Sequence, residues 1–288
     1  MNKIVVYTAI VGNYDAINQP KLVDDRFDYV LFSNDISQER VGVWHVRSIP
    51  YSNEDKTRIA RWVKTHPEEV LDDYECSIWI DGRVVIKSEL FYEKMLALYN
   101  DGCLVASLNH PQRDCIYTEM VEVIRLRLEK ECVILNYGKK LVNEHYPLHN
   151  GLCETRVLYR RHTAIDIIKF DCLWWNIIES YSRRDQLSFN YVLWKMNMVV
   201  SIIGLGGIGE RDGFYVETHK NAQNRTLLDG NISILLKFCF NHPHYFNEIV
   251  SCYYKIYHKK HSLLWANIYG FVYKIKCSCA TCKNRIFR

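Results

Sequence analysis

With 288 residues, 48% of them hydrophobic and 24% charged, the chain carries enough apolar material for one large α/β domain, with or without an appendage. Its formal net charge of +4 hides an asymmetry: no acid follows Glu248, whereas Lys255, Lys259, Lys260, Lys274, Lys276, Lys283, Arg285 and Arg288 do, so the body that precedes them is mildly acidic. That balance argues against a nucleic-acid-coating protein, and no uninterrupted apolar run approaches the roughly 20 residues of a membrane-spanning helix.

The opening apolar run, residues 4–10, reads as a buried strand and is too short and sheet-like for a secretion signal. A cytoplasmic location is therefore expected, with the 11 cysteines reduced and mostly acting as small buried hydrophobes. The loop Gly12-Asn13-Tyr14-Asp15 follows, then short strands at 29–33 and 43–47. Ser52 or Asn53 is placed to cap a helix that Pro67 ends near residue 66. Arg58, Arg61 and Lys64 recur every third residue along it, which lines cations on one face. Such a face either grips a diphosphate through paired guanidinium hydrogen bonds or is simply solvated.

Residues 76–87 read Cys-Ser-Ile-Trp-Ile-Asp-Gly-Arg-Val-Val-Ile-Lys. Asp81 ends an apolar β-type run, a glycine follows at once, and a second run begins. A carboxylate in that setting is costly unless a cation or donor meets it. Strand ends are where open α/β sheets hold their ligands, so a divalent ion or a sugar nucleotide at the tip is one reading. A turn aspartate bonding its own backbone is the other.

An amphipathic helix over 88–99 and a strand over 104–108 lead into His110-Pro111-Gln112-Arg113-Asp114. Asp114 suits a helix N-cap, leaving His110, Arg113 and Glu119 for ligand contacts. Helices are expected over 116–130 and 132–144, a strand over 152–159, and a helix over 163–181 carrying Trp174 and Trp175. A further helix starts near Asp185, and a strand at 199–203 closes the sheet. Asp185 and Gln186 open their helix, where the dipole stabilises a carboxylate. Such a carboxylate can act as a base on a sugar hydroxyl, or it can be a cap and nothing more. The glycines of 204–209 superficially match a dinucleotide fingerprint, but they come late and run into Glu210-Arg211-Asp212-Gly213, which is loop chemistry. His219 is either a late metal ligand or structural. Cys277, Cys279 and Cys282 lack the fourth ligand of a structural zinc site. Phosphate-loop, hydrolase-elbow and zincin motifs are absent, which disfavours those enzyme classes.

Six segments in order carry a resemblance: Tyr7-Thr-Ala-Ile-Val-Gly-Asn-Tyr-Asp15, Asp55…Arg58-Ile-Ala-Arg61, Ile78-Trp-Ile-Asp-Gly82, His110-Pro…Arg113-Asp-Cys-Ile-Tyr…Glu119, Trp174-Trp175 and Arg184-Asp-Gln-Leu-Ser-Phe189. Together, over roughly residues 3–200, the chain resembles a domain-of-unknown-function family of glycosyltransferases that includes plant cell-wall-polysaccharide enzymes and bacterial capsule or O-antigen cluster proteins. The resemblance implies an α/β fold of the GT-A type over 1–234, with a mostly parallel central sheet flanked by helices. A helical, basic, aromatic extension over 235–288 lies outside it.

The resemblance further implies a nucleotide-diphosphate sugar donor, with Mn²⁺ or Mg²⁺ as cofactor. Donor contacts fall on Thr8, Ala9, Tyr14, Asp15, Arg58, Arg61, Asp81, Gly82, His110, Arg113 and Asp114. Asp185, Gln186 and Glu119 are the catalytic candidates, and Asp81 and His219 the metal ligands. Asp81 corresponds to the last acid of a DxD motif whose first acid is here Trp79, a departure that weakens the metal expectation. The expected reaction moves a sugar to a glycan or lipid-linked acceptor in surface polysaccharide assembly. The tail would rest on the anionic cytosolic face of a membrane, and no nucleic acid is involved. The rival reading is a non-catalytic nucleotide-sugar or glycan-binding module.

Overall fold

The computed structural model describes residues 3–207 and 212–217, which divide into two compact units. One takes residues 3–116 with 149–207 and 212–217; the other is described over 117–148. The boundary expected at residue 234, the basic extension, His219 and the cluster of Cys277, Cys279 and Cys282 lie outside the described residues.

The first unit is built on an eight-stranded sheet. Its order is β3 (Arg40–Val41), β4 (Trp44–Arg47), β2 (Asp28–Phe32), β1 (Ile4–Ala9), β5 (Cys76–Ile80), β8 (Cys153–Arg160), β7 (Val105–Asn109) and β9 (Ser201–Leu205). Strands β4, β2, β1 and β5 run parallel, as do β7 and β9, while β8 is antiparallel to both its neighbours and β3 to β4. The sheet is therefore mixed, parallel in its first half and reversed at β8. The reversal has a consequence for chemistry. The carboxyl ends of β1, β5, β7 and β9 meet the amino end of β8 at one edge, as the pairs Ile80–Val157, Asn109–Cys153 and Asn109–Leu205 show. That edge is where ligands of open α/β sheets bind.

Both faces are covered, which is why the central strands read as continuous apolar runs rather than alternating ones. On one face Ile4, Val6, Ile78, Ile80, Val157 and Tyr159 join Phe91, Tyr92 and Met95 of α3 (Glu89–Asn100) in a single buried cluster. On the other, α1 (Lys56–Thr65) packs on β1 and on α6 (Ile165–Ser180), α6 packs on α7 (Gln186–Lys195), and α7 packs on β8. Tyr7 meets Trp79 edge-on there, with ring centroids 5.2 Å apart.

Local chemistry moves several expected boundaries. Asp55, not Ser52 or Asn53, caps α1 by accepting the Thr57 N–H at 2.9 Å, and Asn53 instead accepts the Asp55 N–H at 2.8 Å. Pro67 does not only end that helix; it opens the short α2 (Pro67–Val70), where its fixed φ suits a first turn. Strand β6 (Val84–Ile86) leaves the main sheet and pairs antiparallel with β10 (Phe214–Val216), a strand too short to read in advance. Gly204 and Leu205, expected in a flexible loop, belong to β9. A side chain at Gly204 would displace the Asp212 carboxylate, so glycine there leaves room for that group within a strand rather than making a turn.

Of the six described cysteines, all free, Cys76, Cys115 and Cys153 are buried, Cys103 is half-buried, and Cys132 and Cys172 are exposed. Helices α4 (Ile116–Arg125) and α5 (Glu131–Asn143) account for most of residues 117–148. Within that second unit the Tyr117 hydroxyl donates to the Tyr146 carbonyl at 3.0 Å. Among the described residues no helix is long and apolar enough to cross a membrane.

Candidate functional site

Asp81 stands one residue past β5, at the edge where the strand tips converge. Its backbone N–H donates to the Arg156 carbonyl of β8 at 2.8 Å, which continues the strand pairing and fixes where the carboxylate starts. Trp79, two residues earlier and on the same face, donates its indole N–H to Asp81 Oδ1 at 2.8 Å. Lys64 Nζ lies 3.8 Å and Arg61 Nη1 3.9 Å from the same oxygen. No described residue hydrogen-bonds to Oδ2, and the side chain remains 35% exposed.

Behind Asp81 lies a closed ionic cage. Lys64, only 1% exposed, donates to Asp185 Oδ2 at 2.6 Å and to the Thr155 carbonyl at 2.7 Å. The Thr155 hydroxyl also donates to Asp185 Oδ2, at 2.8 Å. Arg61 Nε sits 2.9 Å from Asp185 Oδ1 as an ion pair whose N–H is not aligned for a hydrogen bond. The rings of Trp79 and Trp174 flank the ammonium at 5.3 and 5.7 Å, replacing lost hydration with cation–π attraction.

Burial would lift both carboxyls, but the cations win. Lys64 and then Arg61 hold Asp81 below the usual carboxylate range, and Arg61 and then Lys64 hold Asp185 well below it. Burial pulls Lys64 down from its ordinary value, against Asp185 and Asp81 pushing it up, while the same acids raise Arg61 despite its burial. The geometry sets two basic side chains against two carboxyls, each within 4 Å of both partners. A carboxylate held so low and ringed by Lys64, Arg61 and Thr155 is a weak base. Asp185 is thus placed as the buried counter-ion of Arg61 and Lys64, not as a base facing a substrate.

The loop after β1 folds back toward this tip. A side chain on Gly82 would meet Ile10 at 3.5 Å and Asp15 at 3.6 Å, ordinary contact distances that show how near the two loops lie. Asn18 donates to the Gly82 carbonyl at 3.0 Å and in turn accepts the Trp44 indole N–H on its own carbonyl at 2.8 Å. The turn itself needs Gly12 at φ +70° and Asn13 at φ +53°. Thr8 is buried with an unpartnered hydroxyl, Ala9 is half-buried, and Tyr14 is exposed.

The remaining candidates divide. His110 closes the turn after β7 by accepting the Gln112 and Arg113 N–H groups on Nδ1, at 3.2 and 3.0 Å. Burial, then Arg113 and Arg156, push its pKa down to about 4, so it is neutral. Asp114 is exposed and lies 2.8 Å from His149 Nδ1. Gln186 opens α7 beside Asp185, with a buried side-chain nitrogen that has no partner. Glu119 lies on the first turn of α4, in the second unit.

Arg58 is a correction: its guanidinium donates to the carbonyls of Ile178, Glu179 and Tyr181, closing the carboxyl end of α6, and so serves the fold rather than a donor.

Two residues went unread. Arg156, paired with Glu154, donates to the Gly207 carbonyl at 3.0 Å, and Glu154 accepts the Gly207 N–H at 2.9 Å. Together they stitch the end of β9 to the same edge. Their signal was available: Cys-Glu-Thr-Arg-Val-Leu-Tyr-Arg is an almost wholly buried strand with three charges, and buried charges demand partners.

The described side chains at the tip do not assemble the donor set that a divalent ion needs. Among the described residues no three His, Cys, Asp or Glu side chains converge to hold one. Asp185 spends both oxygens on cations, Asp81 Oδ1 faces an indole N–H and two cations, and the first acid position is Trp79. Among the described residues, one open oxygen beside two positive charges makes a poor donor set for Mn²⁺ or Mg²⁺; His219, the other expected ligand, lies outside them.

Comparisons with known proteins bear on this geometry. The family description TOD1/MUCI70, glycosyltransferase-like domain, matches residues 1–205. A protein of Arabidopsis thaliana named "Probable hexosyltransferase MUCI70" is 21% identical over 256 residues, covering 76% of this chain and 42% of that one. Another, named "Alkaline ceramidase TOD1", from the same plant, is 24% identical over 223 residues, covering 66% and 48%. The chain therefore spans less than half the length of either relative. Among solved structures, a WbbM bifunctional glycosyltransferase superposes loosely, with a TM-score of 0.40 and 12% identity over 70% of this chain and 38% of that one.

Proposed function

The chain belongs to the TOD1/MUCI70 glycosyltransferase-like family, and on that premise we propose that it transfers a hexosyl group from a nucleotide-diphosphate sugar to a hydroxyl of a glycan or lipid-linked glycan, within surface or wall polysaccharide assembly. The reaction breaks the bond from the sugar's anomeric carbon to the diphosphate and forms one to the acceptor oxygen, whose proton passes to the departing nucleotide diphosphate or to solvent. The single observation that carries the reading is Asp81: a carboxylate at a strand tip, open on one oxygen, in front of Arg61 and Lys64, with Gly82 laid against Asp15 of the loop after β1.

In this reading the loop from Thr8 to Asp15 takes the nucleotide in a GT-A-type manner. Asp81 touches the donor sugar. Asp185 fixes Arg61 and Lys64 behind it, and Gln186, whose buried nitrogen lacks a partner, is the candidate for a further contact. Preorganised charges of this kind act without reorganising during reaction.

The test is a screen of UDP-, GDP- and CMP-sugars by thermal shift and by donor turnover, run on wild type and Asp81→Ala. Turnover should fall at least about 100-fold in the variant while circular dichroism stays unchanged. Full activity of Asp81→Ala, with and without chelator, would remove the assignment. A thermal shift without turnover in wild type would favour the binding-module reading, for which the substitution of Trp79 at the first acid position speaks. Ceramide, which the name of one relative suggests, belongs in the same screen. Its cleavage with no sugar transfer would replace the reading.

A further inference from the structure

The two cations beside Asp81 already have their opposites. Lys64 and Arg61 lie 3.8 and 3.9 Å from Asp81 Oδ1, and both also pair with Asp185, at 2.6 and 2.9 Å. Lys64 is not free to withdraw: it is held by the Thr155 carbonyl and hydroxyl at 2.7 and 3.2 Å and boxed by two indole rings. A divalent ion placed on Asp81 would stand within a few ångströms of two positive charges, one of them on an almost wholly buried ammonium. A neutral hydroxyl meets no such repulsion. It finds in Oδ2 an ionised acceptor that Trp79 steers by holding Oδ1 at 2.8 Å.

We propose that Asp81 is a metal-excluding, sugar-reading carboxylate: Lys64 and Arg61 occupy the electrostatic place of a divalent ion, and Oδ2 accepts a hydroxyl of the donor's sugar. The sugar-reading half rests on the glycosyltransferase reading above; the metal-excluding half does not. Transfer then runs without added metal and is indifferent to chelator.

The decisive experiment measures Mn²⁺ binding to the full chain by electron paramagnetic resonance, with and without UDP, in wild type, Asp81→Asn, Lys64→Met and Arg61→Gln. Wild type should bind no Mn²⁺ that Asp81→Asn abolishes. Removing either cation should create such binding, at least tenfold tighter than wild type and lost again when Asp81→Asn is added. Arg61→Gln serves if Lys64→Met does not fold, since Arg61 is the less enclosed of the two. Micromolar Mn²⁺ binding by wild type that disappears in Asp81→Asn would overturn the proposal.

A second arm, in EDTA, compares thermal shifts from UDP and UDP-glucose. The extra shift from the sugar should appear in wild type and vanish in Asp81→Asn. The same extra shift in both proteins would overturn the sugar-reading half. If no nucleotide sugar from the wider screen binds at all, the glycosyltransferase reading falls while the Mn²⁺ arm still stands or falls by itself.

Discussion

Two ionic clusters share one face of the same sheet, and Lys64 belongs to both. In the first, Arg160 of β8 pairs with Asp171 of α6 and donates to the Tyr7 hydroxyl and the Lys64 carbonyl; both charged side chains are 0% exposed. In the second, the Lys64 ammonium and Asp185 are almost as deep, at 1% and 5%, yet the cluster opens to solvent through Asp81. The chemistry is nearly the same, and position along the strands makes the difference. Arg160 pairs in register with Ser77 and Val105 at the far ends of their strands, whereas Thr155 and Asp81 sit at the convergent tips. The closed cluster therefore ties α1, β1, α6 and β8 together, and the open one borrows that rigidity to present a single carboxylate.

The largest effect should come from breaking the closed cluster. Arg160→Met leaves Asp171 buried without its cation, and the cost should be about 3–5 kcal/mol, read as a shift in the urea midpoint. The double variant Arg160→Met/Asp171→Leu should regain most of that loss, because replacing both partners of a buried pair by apolar groups is close to neutral. Asp81→Ala, by contrast, removes only the exposed member of the open cluster and should cost roughly 1 kcal/mol or less. If Arg160→Met were as mild as Asp81→Ala, the closed cluster would not be the brace described here.

The distinction between these clusters was only half legible in the amino-acid sequence. Strands β1 and β5 could be read from their apolar runs, and Asp81 stood out because a charge ended one of them. Lys64 was visible only as part of a helical stripe. Its partners Thr155 and Asp185 lie 91 and 121 residues away, and no local pattern encodes such a pairing. Helical spacing puts Arg58 and Arg61 on one face, yet Arg61 lies beside Asp81 and Arg58 against the end of α6, because spacing gives a face and not what packs against it. Strands of two or three residues, such as β3 and β10, carry too few positions to show a period. The reversal at β8 is a topological fact that strand-by-strand reading does not reach.

Acid should separate the clusters next, with opposite signs. Asp171 is raised to about 7 by burial, which Arg160 opposes and Glu68 reinforces. The folded protein thus takes up this proton before the unfolded chain does, and the contribution is full at low pH and lost as pH rises through about 7. The stability of wild type minus that of Asp171→Asn should fall by up to about 1.4 kcal/mol per pH unit between 5 and 7. Asp185 is lowered, so its contribution is full above the unfolded value near 4 and is lost as pH falls below it. Wild type minus Asp185→Asn should therefore stay level from pH 5 to 8 and shrink toward pH 3. Taking differences removes the shared background of His110 and His162, both pushed down to about 4 chiefly by burial. Two difference curves of the same sign would mean that Asp171 is ionised throughout, and the contrast between the clusters would reduce to exposure alone.

The smallest effect sharpens the boundary of the open cluster. Arg58 lies one helical turn from Arg61, and spacing alone gives them the same role. Its guanidinium instead closes the end of α6 through the carbonyls of Ile178, Glu179 and Tyr181, and its nearest acid is Asp55, at 3.9 Å, not Asp81. Arg58→Gln keeps part of that capping and should cost about 1 kcal/mol. Affinity for whichever nucleotide sugar the screen identifies should change less than about twofold, because no atom of Arg58 belongs to the charge balance at Asp81. Arg61→Gln makes the comparison: a similar change in size and charge, one turn further along, at a side chain that touches both Asp81 and Asp185. Titration of both variants with that donor decides whether the functional face of α1 begins at Arg61. A loss of affinity in Arg58→Gln as large as in Arg61→Gln would extend that face back by a turn and return Arg58 to the site.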